Sequence, residues 1–269
     1  MSNHRVVTTV QGGVAHVHLN RQEKRNGLDL PMFEAILAAA ARVVADRSVR
    51  VVVLSGEGKA FCAGLDWLAF AQEPPETTGR MLARDEAVSP ANLAQRICWI
   101  WRECPVPVLA AVQGAAFGGG LQLALGADLR FVGPDAQLSV MEVRYGLIPD
   151  MGASKTLLSV VRADIAKELL FTGRVVGAEE AVALGLATRL VPDPLVAAME
   201  LAEVIAARSP DAIRAGKRLI DEAPWLSVRD AFALETELQL KLIGSANQAA
   251  AVHAVFTGAL PTFDDPQGP

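Results

Sequence analysis

The chain has 269 residues, of which 51% are hydrophobic and 20% charged, and its formal net charge is −5. This composition excludes disordered, fibrous and disulfide-miniature proteins, and the length allows one large body or a body with an appendage, since single cores stop growing at roughly 250–300 residues. The acidic balance argues against a nucleic-acid face, and three cysteines without CxxC spacing (Cys62, Cys98, Cys104) fit a reducing, cytoplasmic compartment.

The opening MSNHRVVTTV lacks the charged-then-apolar pattern of a secretory leader. Val14–Leu19 then alternates valine and histidine, as a half-exposed strand does. His16 and His18 share one face of it, but no third ligand is near, so a strand surface is expected there and not a metal site. Asp29 and Pro31 open a helix over residues 31–45, with Phe33, Ile36, Leu37, Ala40 and Val44 at helical spacing. Val51–Leu54 and Val106–Val112 are β-branched runs, each followed by a glycine turn. Between them, residues 72–91, with PPETTG and mixed charge, have no apolar period. They read as a mobile loop that shapes a binding pocket, ahead of a helix over 91–103.

Residues 105–127 carry no charge and are long enough to span a bilayer. Gln113, Gln122 and five glycines, three in succession at 118–120, favour instead a buried strand, a glycine turn and a buried helix, so no membrane partner is expected. Beyond the Pro-Asp-Pro at 192–194 the pattern is helical throughout, over 195–207, 210–220, 228–243 and 248–256. The expected class is therefore α/β, with a body over 1–192 and a helical region over 193–269. Periodicity alone suggests an ordinary doubly wound sheet.

No GxxxxGK[ST], HExxH or GxGxxG signature is present, so neither a metal nor a dinucleotide cofactor is expected. Three segments carry chemistry. SGEGKAFCAGLDW (55–67) and VQGAAFGGGLQLAL (112–125) each run from a strand end through glycine to the start of a helix, the first at about Asp66. Backbone N–H groups at such starts lack intrahelical acceptors, and two of them aimed at one point form an oxyanion hole. MEVRYGLIPDMGAS (141–154) places two acids, Glu142 and Asp150, in an otherwise apolar stretch, where burial raises a carboxyl pKa into the useful range for acid–base work.

These segments, with NRQEKRNGL (20–28), LLFTGRVVGAEEAVALGLATRLVP (169–192) and the closing AVFTGALPTF, resemble the enoyl-CoA hydratase/isomerase (crotonase) superfamily in order and spacing over essentially the whole chain. The resemblance implies a spiral of ββα repeats with a helical C-terminal region that packs between subunits, in a homotrimer or dimer of trimers. It implies an acyl-CoA thioester as substrate and no metal or redox cofactor. The backbone N–H groups of Leu65 and Gly119 are then the oxyanion donors, and Gln122 and Glu142 fall at the two acid positions of the hydratases. Glutamine at 122 can hold a water but cannot exchange protons, which speaks against ordinary hydration.

Glu142 alone resembles the isomerases that move a double bond from position 3 to 2. Glu142 with Asp150 resembles the dienoyl-CoA isomerases, although those also carry an acid where this chain has Gln122. Asp150 further matches the nucleophile position of an aromatic dehalogenase branch, which has tryptophan at position 142. Hydrolysis of a hydroxyacyl-CoA and a non-catalytic acyl-CoA-binding role are the other readings, because one oxyanion hole serves several chemistries. For the coenzyme A moiety the resemblance assigns Arg25 near the phosphates, Ala63 on the adenine-side loop, and Lys217 as a contact from the helical region. Cys62 has no histidine near it in sequence and reads as a small core residue.

Overall fold

The computed structural model describes residues 4–84 and 89–266. Strands β1 (Val6–Gln11) and β2 (Val14–Leu19) form an antiparallel hairpin, followed by helix α1 (Leu30–Ala45). Three turns of strand, strand and helix come next. The first comprises β3 (Val51–Gly56), β4 (Ala60–Cys62) and helices α2 (Trp67–Phe70), α3 (Pro75–Leu82) and α4 (Leu93–Arg102). The second is β5 (Val108–Val112), β6 (Ala115–Phe117) and α5 (Gly119–Leu125). The third is β7 (Leu129–Val132) and β8 (Gln137–Ser139), then a 3-10 turn over Glu142–Tyr145 and helices α6 (Ala153–Thr156) and α7 (Ala163–Thr172). After β9 (Val176–Gly177), α8 (Ala178–Leu184) and β10 (Arg189–Leu190), four helices end the described chain: α9 (Pro194–Ala206), α10 (Pro210–Glu222), α11 (Val228–Leu242) and α12 (Ala246–Thr257).

Each turn gives its first strand to a six-stranded sheet, ordered β1-β2-β3-β5-β7-β10, and its second to a four-stranded sheet, ordered β4-β6-β8-β9. This is the ββα spiral of the crotonase fold. Periodicity misses it because β4, β6 and β8 are three residues long, too short for an alternating pattern to register. The charge-free stretch at 105–127 folds as β5, β6 and α5, a strand pair and a buried helix.

The large sheet is covered on both sides, and this explains its uninterrupted apolar strands. Val52 and Leu54 of β3 join Met32, Phe33 and Ile36 of α1 in one core, whereas Val51 and Val53 face a second core closed by Ala198, Ala202 and Ala206 of α9. Alanines four residues apart lie on one helix face, which lets α9 lie flat on the sheet. The remaining helical region leaves large apolar side chains in the open, among them Ile220, Phe232, Leu240, Val255, Phe256 and Leu260.

Helix starts follow their caps. The Asp29 carboxylate accepts from Met32 N at 2.9 Å ahead of Pro31, and Asn92 and Gln95 form a reciprocal capping box at α4. The segment 72–91 departs from expectation, because α3 occupies part of it. Among the described residues Thr77 and Met81, one turn apart, are buried there, and two inward residues in a polar octapeptide leave no visible period. Residues 85–88 of that segment lie outside the described residues.

Candidate active site

The two glycine turns meet. Gly64 has φ +87°, and a Cβ on it would lie 2.6 Å from the Phe117 carbonyl oxygen and 3.7 Å from the Gly119 nitrogen. A side chain at 64 would thus force the turns apart as well as strain the backbone. Leu28 bridges to the first turn, its N–H donating to Gly64 O at 2.8 Å and its carbonyl accepting from Asp66 N at 2.9 Å. Successive backbone groups of an extended segment point to opposite edges, so the Leu65 N–H between them faces away from Leu28. In the second turn Gly118, at φ 51° and ψ −120°, donates to Ser139 O, and Gly119 begins α5. Among the described residues neither the Leu65 nor the Gly119 N–H has an acceptor. Two backbone donors at adjoining turns are what an oxyanion hole needs.

A charged clamp behind the first turn was not assigned from sequence. Arg21, 7% exposed, pairs with Asp66 at 2.8 Å and with Asp29 at 3.2 Å, and Arg5 also reaches Asp29 at 2.8 Å. Asp66 caps α2 through Ala69 N at 3.1 Å. Burial pushes the Asp66 carboxyl up, but the Ala69 N–H and the Arg21 guanidinium outweigh it and hold the group below the usual range. Asn26, buried and at φ 55°, accepts from Arg21 N and donates to the carbonyls of Glu57 and Ala60. The only sequence signal for this clamp was opposite charges at 21 and 66, and it became legible only once the 20–29 segment was seen to lie against the 60–66 loop.

The acids are organised by Gln122, which is 1% exposed on α5. Its Nε2 donates to Glu142 Oε1 at 2.6 Å, and its Oε1 accepts from Met151 N at 2.8 Å and Ala153 N at 3.3 Å. The amide therefore grips the 3-10 turn that carries Glu142 and the turn that carries Asp150. Two backbone donors thus engage the Gln122 oxygen. Glu142 also abuts the second glycine turn, its Oε1 lying 3.4 Å from the point a Gly118 Cβ would occupy. Its other oxygen, Oε2, is buried and has no partner among the described residues. Burial drives the Glu142 carboxyl above its ordinary value, opposed by hydrogen bonds from its own backbone and Gln122 and aided by the negative charge of Asp150. Asp150 is exposed at the mouth, yet partial burial of its carboxyl also raises it, against a bond from its own backbone. Two carboxyls displaced upward beside unpaired amide donors can move protons next to a carbonyl whose negative charge is held.

Arg25 and Ala63 adjoin, the Ala63 N–H donating to Arg25 O at 2.9 Å, and the exposed Arg25 guanidinium has no partner among the described residues. Lys217 is placed elsewhere. Its ammonium is buried against Asp128 at 2.6 Å. It lines a cavity of about 1190 Å³, with Arg102, Arg214 and Asp221, whose walls include none of Leu65, Gly119, Gln122, Glu142 or Asp150. Two ion pairs, Arg102–Asp221 and Lys217–Asp128, stand at its wall. Cys62 is fully buried, donates to Asn26 O at 3.1 Å and has its thiol pushed up to about 12 by burial, which makes it inert as a nucleophile. His16 and His18 lie on one strand face with ring centroids 5.1 Å apart and planes tilted by 39°, and His16 Nε2 is bonded to Ser55 Oγ at 2.8 Å.

A family model described as Enoyl-CoA hydratase/isomerase matches residues 9–263. The chain is 32% identical over 257 residues to enoyl-CoA hydratase EchA19 of Mycobacterium tuberculosis, covering 95% of this chain and 94% of that one. It is 36% identical over 217 residues to the mitochondrial Δ(3,5)-Δ(2,4)-dienoyl-CoA isomerase of Homo sapiens, covering 78% of this chain and 66% of that protein. The crystal structure of an enoyl-CoA hydratase from Bacillus anthracis superposes with a TM-score of 0.89 at 28% identity, over 97% of this chain and 100% of the other. With this extent of match, and with the paired glycine turns and the ββα spiral in place, the chain belongs to the enoyl-CoA hydratase/isomerase family and has the crotonase fold.

Proposed function

We propose that the protein is a proton-shuttling isomerase that moves a double bond in an enoyl- or dienoyl-CoA. The observation that carries this reading is the Gln122–Glu142 bond of 2.6 Å, because it leaves Glu142 and Asp150 as the acid–base pair and gives position 122 a purely holding role. Glu142 Oε2 takes a proton from C2 of the thioester. The charge that develops on the carbonyl oxygen is met by the N–H groups of Leu65 and Gly119, each such donor contributing on the order of 3–4 kcal/mol. Glu142 returns the proton at C4 of a 3-enoyl chain; with a 3,5-dienoyl chain Asp150 gives a proton at C6, and the proton held by Glu142 then passes to Asp150 and restores both groups. Atoms and electrons balance without water, metal or redox cofactor. Arg25 and Ala63 hold the coenzyme A end.

Hydration of a 2-enoyl-CoA is the second reading, favoured by the name of the M. tuberculosis relative at comparable identity. Purified protein given 3-enoyl-, 3,5-dienoyl- and 2-enoyl-CoA separates the readings. Conjugated 2-enoyl or 2,4-dienoyl products support the isomerase, and reaction of the 2-enoyl substrate alone, to a 3-hydroxy product, overturns it. Binding of all three without turnover would make the chain a non-catalytic acyl-CoA binder. We place the enzyme in the cytoplasm on the support of three free, buried thiols, and propose a homotrimer or dimer of trimers in which partner subunits cover the apolar faces of α10–α12. Among the described residues no helix is long and apolar enough to cross a membrane.

A further inference from the structure

We propose that Trp67 and Tyr145 form the acyl-side wall of the site and select a flat, conjugated acyl group over a puckered or saturated one. This rests on the thioester site described above and adds a specificity determinant to it. Tyr145, the single tyrosine of the chain, and Trp67 stack with ring centroids 5.3 Å apart at an interplanar angle of 29°. Each ring is tied to a reacting group by local geometry. Trp67 opens α2 two residues after the Leu65 donor, directly behind the Asp66 cap. Tyr145 closes the 3-10 turn that Glu142 opens, and at three residues per turn positions i and i+3 eclipse, so Tyr145 lies on the Glu142 side. Val143 and Arg144 fill the other side against Gly173, where a Cβ would meet their side chains at 3.1 Å.

The stack therefore joins the oxyanion loop to the turn of the base, on the path an acyl chain takes as it leaves a carbonyl held between them. In the chain by itself the rings remain 42% and 55% exposed, an unusual state for two large aromatics next to a buried carboxylate. Leu68 and Ile148, close to them in the chain, are likewise exposed. The rings are in contact, so the substrate lies along the pair and not between its members. A planar π-system gains from offset or edge contact with such rings, worth about 0.5–1.5 kcal/mol beyond area, or roughly two- to tenfold in affinity, whereas a chair-shaped ring does not. The enolate formed from a 3,5-dienoyl-CoA is conjugated, and so planar, from C1 to C6 and fits the same wall.

The test uses benzoyl-CoA and cyclohexanecarbonyl-CoA, which match in carbon count and differ in flatness, and neither has a double bond to migrate. Dissociation constants are measured for the full chain and for Trp67→Leu, Tyr145→Leu and Tyr145→Phe, with coenzyme A alone as control. The wild type is expected to favour benzoyl-CoA five- to tenfold, the two leucine variants less than twofold, and Tyr145→Phe is expected to keep the preference. Equal loss for both ligands overturns the proposal, as does an unchanged ratio. A change of oligomeric state with the ratio intact also overturns it, by assigning the pair to a subunit contact. Because the readout is affinity, absence of isomerase turnover with the ratio as expected refutes the proposed reaction and leaves the wall standing.

Discussion

Gln122 Nε2 donates to Glu142 Oε1 at 2.6 Å. With the Gln122 oxygen fixed by Met151 and Ala153, the amide cannot flip, so its NH2 group is committed to the carboxylate. A donor to a carboxylate favours its charged form and lowers its pKa, in opposition to burial. Replacing Gln122 with alanine therefore raises the Glu142 pKa further. In the proposed reaction the base form of Glu142 is the active one, so kcat/KM is expected to fall as pH drops through that raised pKa, and in Gln122→Ala the acid limb should move to higher pH. We expect a loss of about tenfold near neutrality that partly recovers in alkali, as one hydrogen bond to a charged group is worth roughly 1.5–3 kcal/mol. A pH profile of kcat/KM for both proteins checks it, and an acid limb moving downward would refute the role given to Gln122.

The same burial makes Glu142 a cost to the fold. Its folded pKa lies above the unfolded value near 4.5, so the charged group destabilises at pH above the folded pKa, and the cost is relieved as pH falls toward 4.5. Glu142→Gln keeps an oxygen for the Gln122 amide and removes the charge. Turnover should drop on the order of 10²–10⁴-fold with acyl-CoA affinity nearly unchanged. The melting temperature should rise, by roughly 2–4 °C per kcal/mol recovered, at pH 8 and not at pH 4. Calorimetry at the two pH values reads the difference.

In the proposed reaction Asp150 divides the two isomerase substrates. Proton delivery at C6 needs a group beyond the reach required for C4, and Asp150 is the second raised carboxyl of the site. Asp150→Asn is expected to cut 3,5-dienoyl-CoA isomerisation about 10²–10⁴-fold and to leave 3-enoyl-CoA isomerisation within a few-fold. Equal loss on both substrates would show that Asp150 does not choose between them.

Arg21 holds the oxyanion turn through Asp66 and anchors α1 through Asp29. Arg21→Met leaves Asp66 nearly buried without its cation, and removal of one partner from a buried pair costs about 3–5 kcal/mol. The urea midpoint should fall accordingly. Arg21→Met with Asp66→Asn should recover part of that loss, since the stranded charge is gone. No recovery in the double variant would separate the two residues.

Much of this was legible from residue order. Asp29 and Pro31 marked the start of α1, and the glycine triplet with uncharged flanks marked β5 to α5, because caps and turn residues act locally. The candidate donors and acids were legible because the family places them in recognisable strings. Gln122 was legible as a departure but not as a grip, since its partners lie 20 to 31 residues away and the bonds exist only when α5, the 3-10 turn and α6 converge. Lys217 was legible as a candidate coenzyme A contact, but its bond to Asp128, 89 residues away, was not. The clamp of Arg21 and the stack of Trp67 on Tyr145 are likewise products of topology, with no local pattern to announce them.

The central claim is that Glu142 and Asp150 move protons while Gln122 activates no water. It is tested most directly by turning over 3,5-dienoyl-CoA in water enriched in oxygen-18 and weighing the products. The account predicts a 2,4-dienoyl-CoA of unchanged mass with no heavy oxygen incorporated in the acyl chain. A 3,5-dienoyl-CoA left unreacted, while 2-enoyl-CoA in the same water gives a 3-hydroxy product carrying oxygen-18, would contradict it.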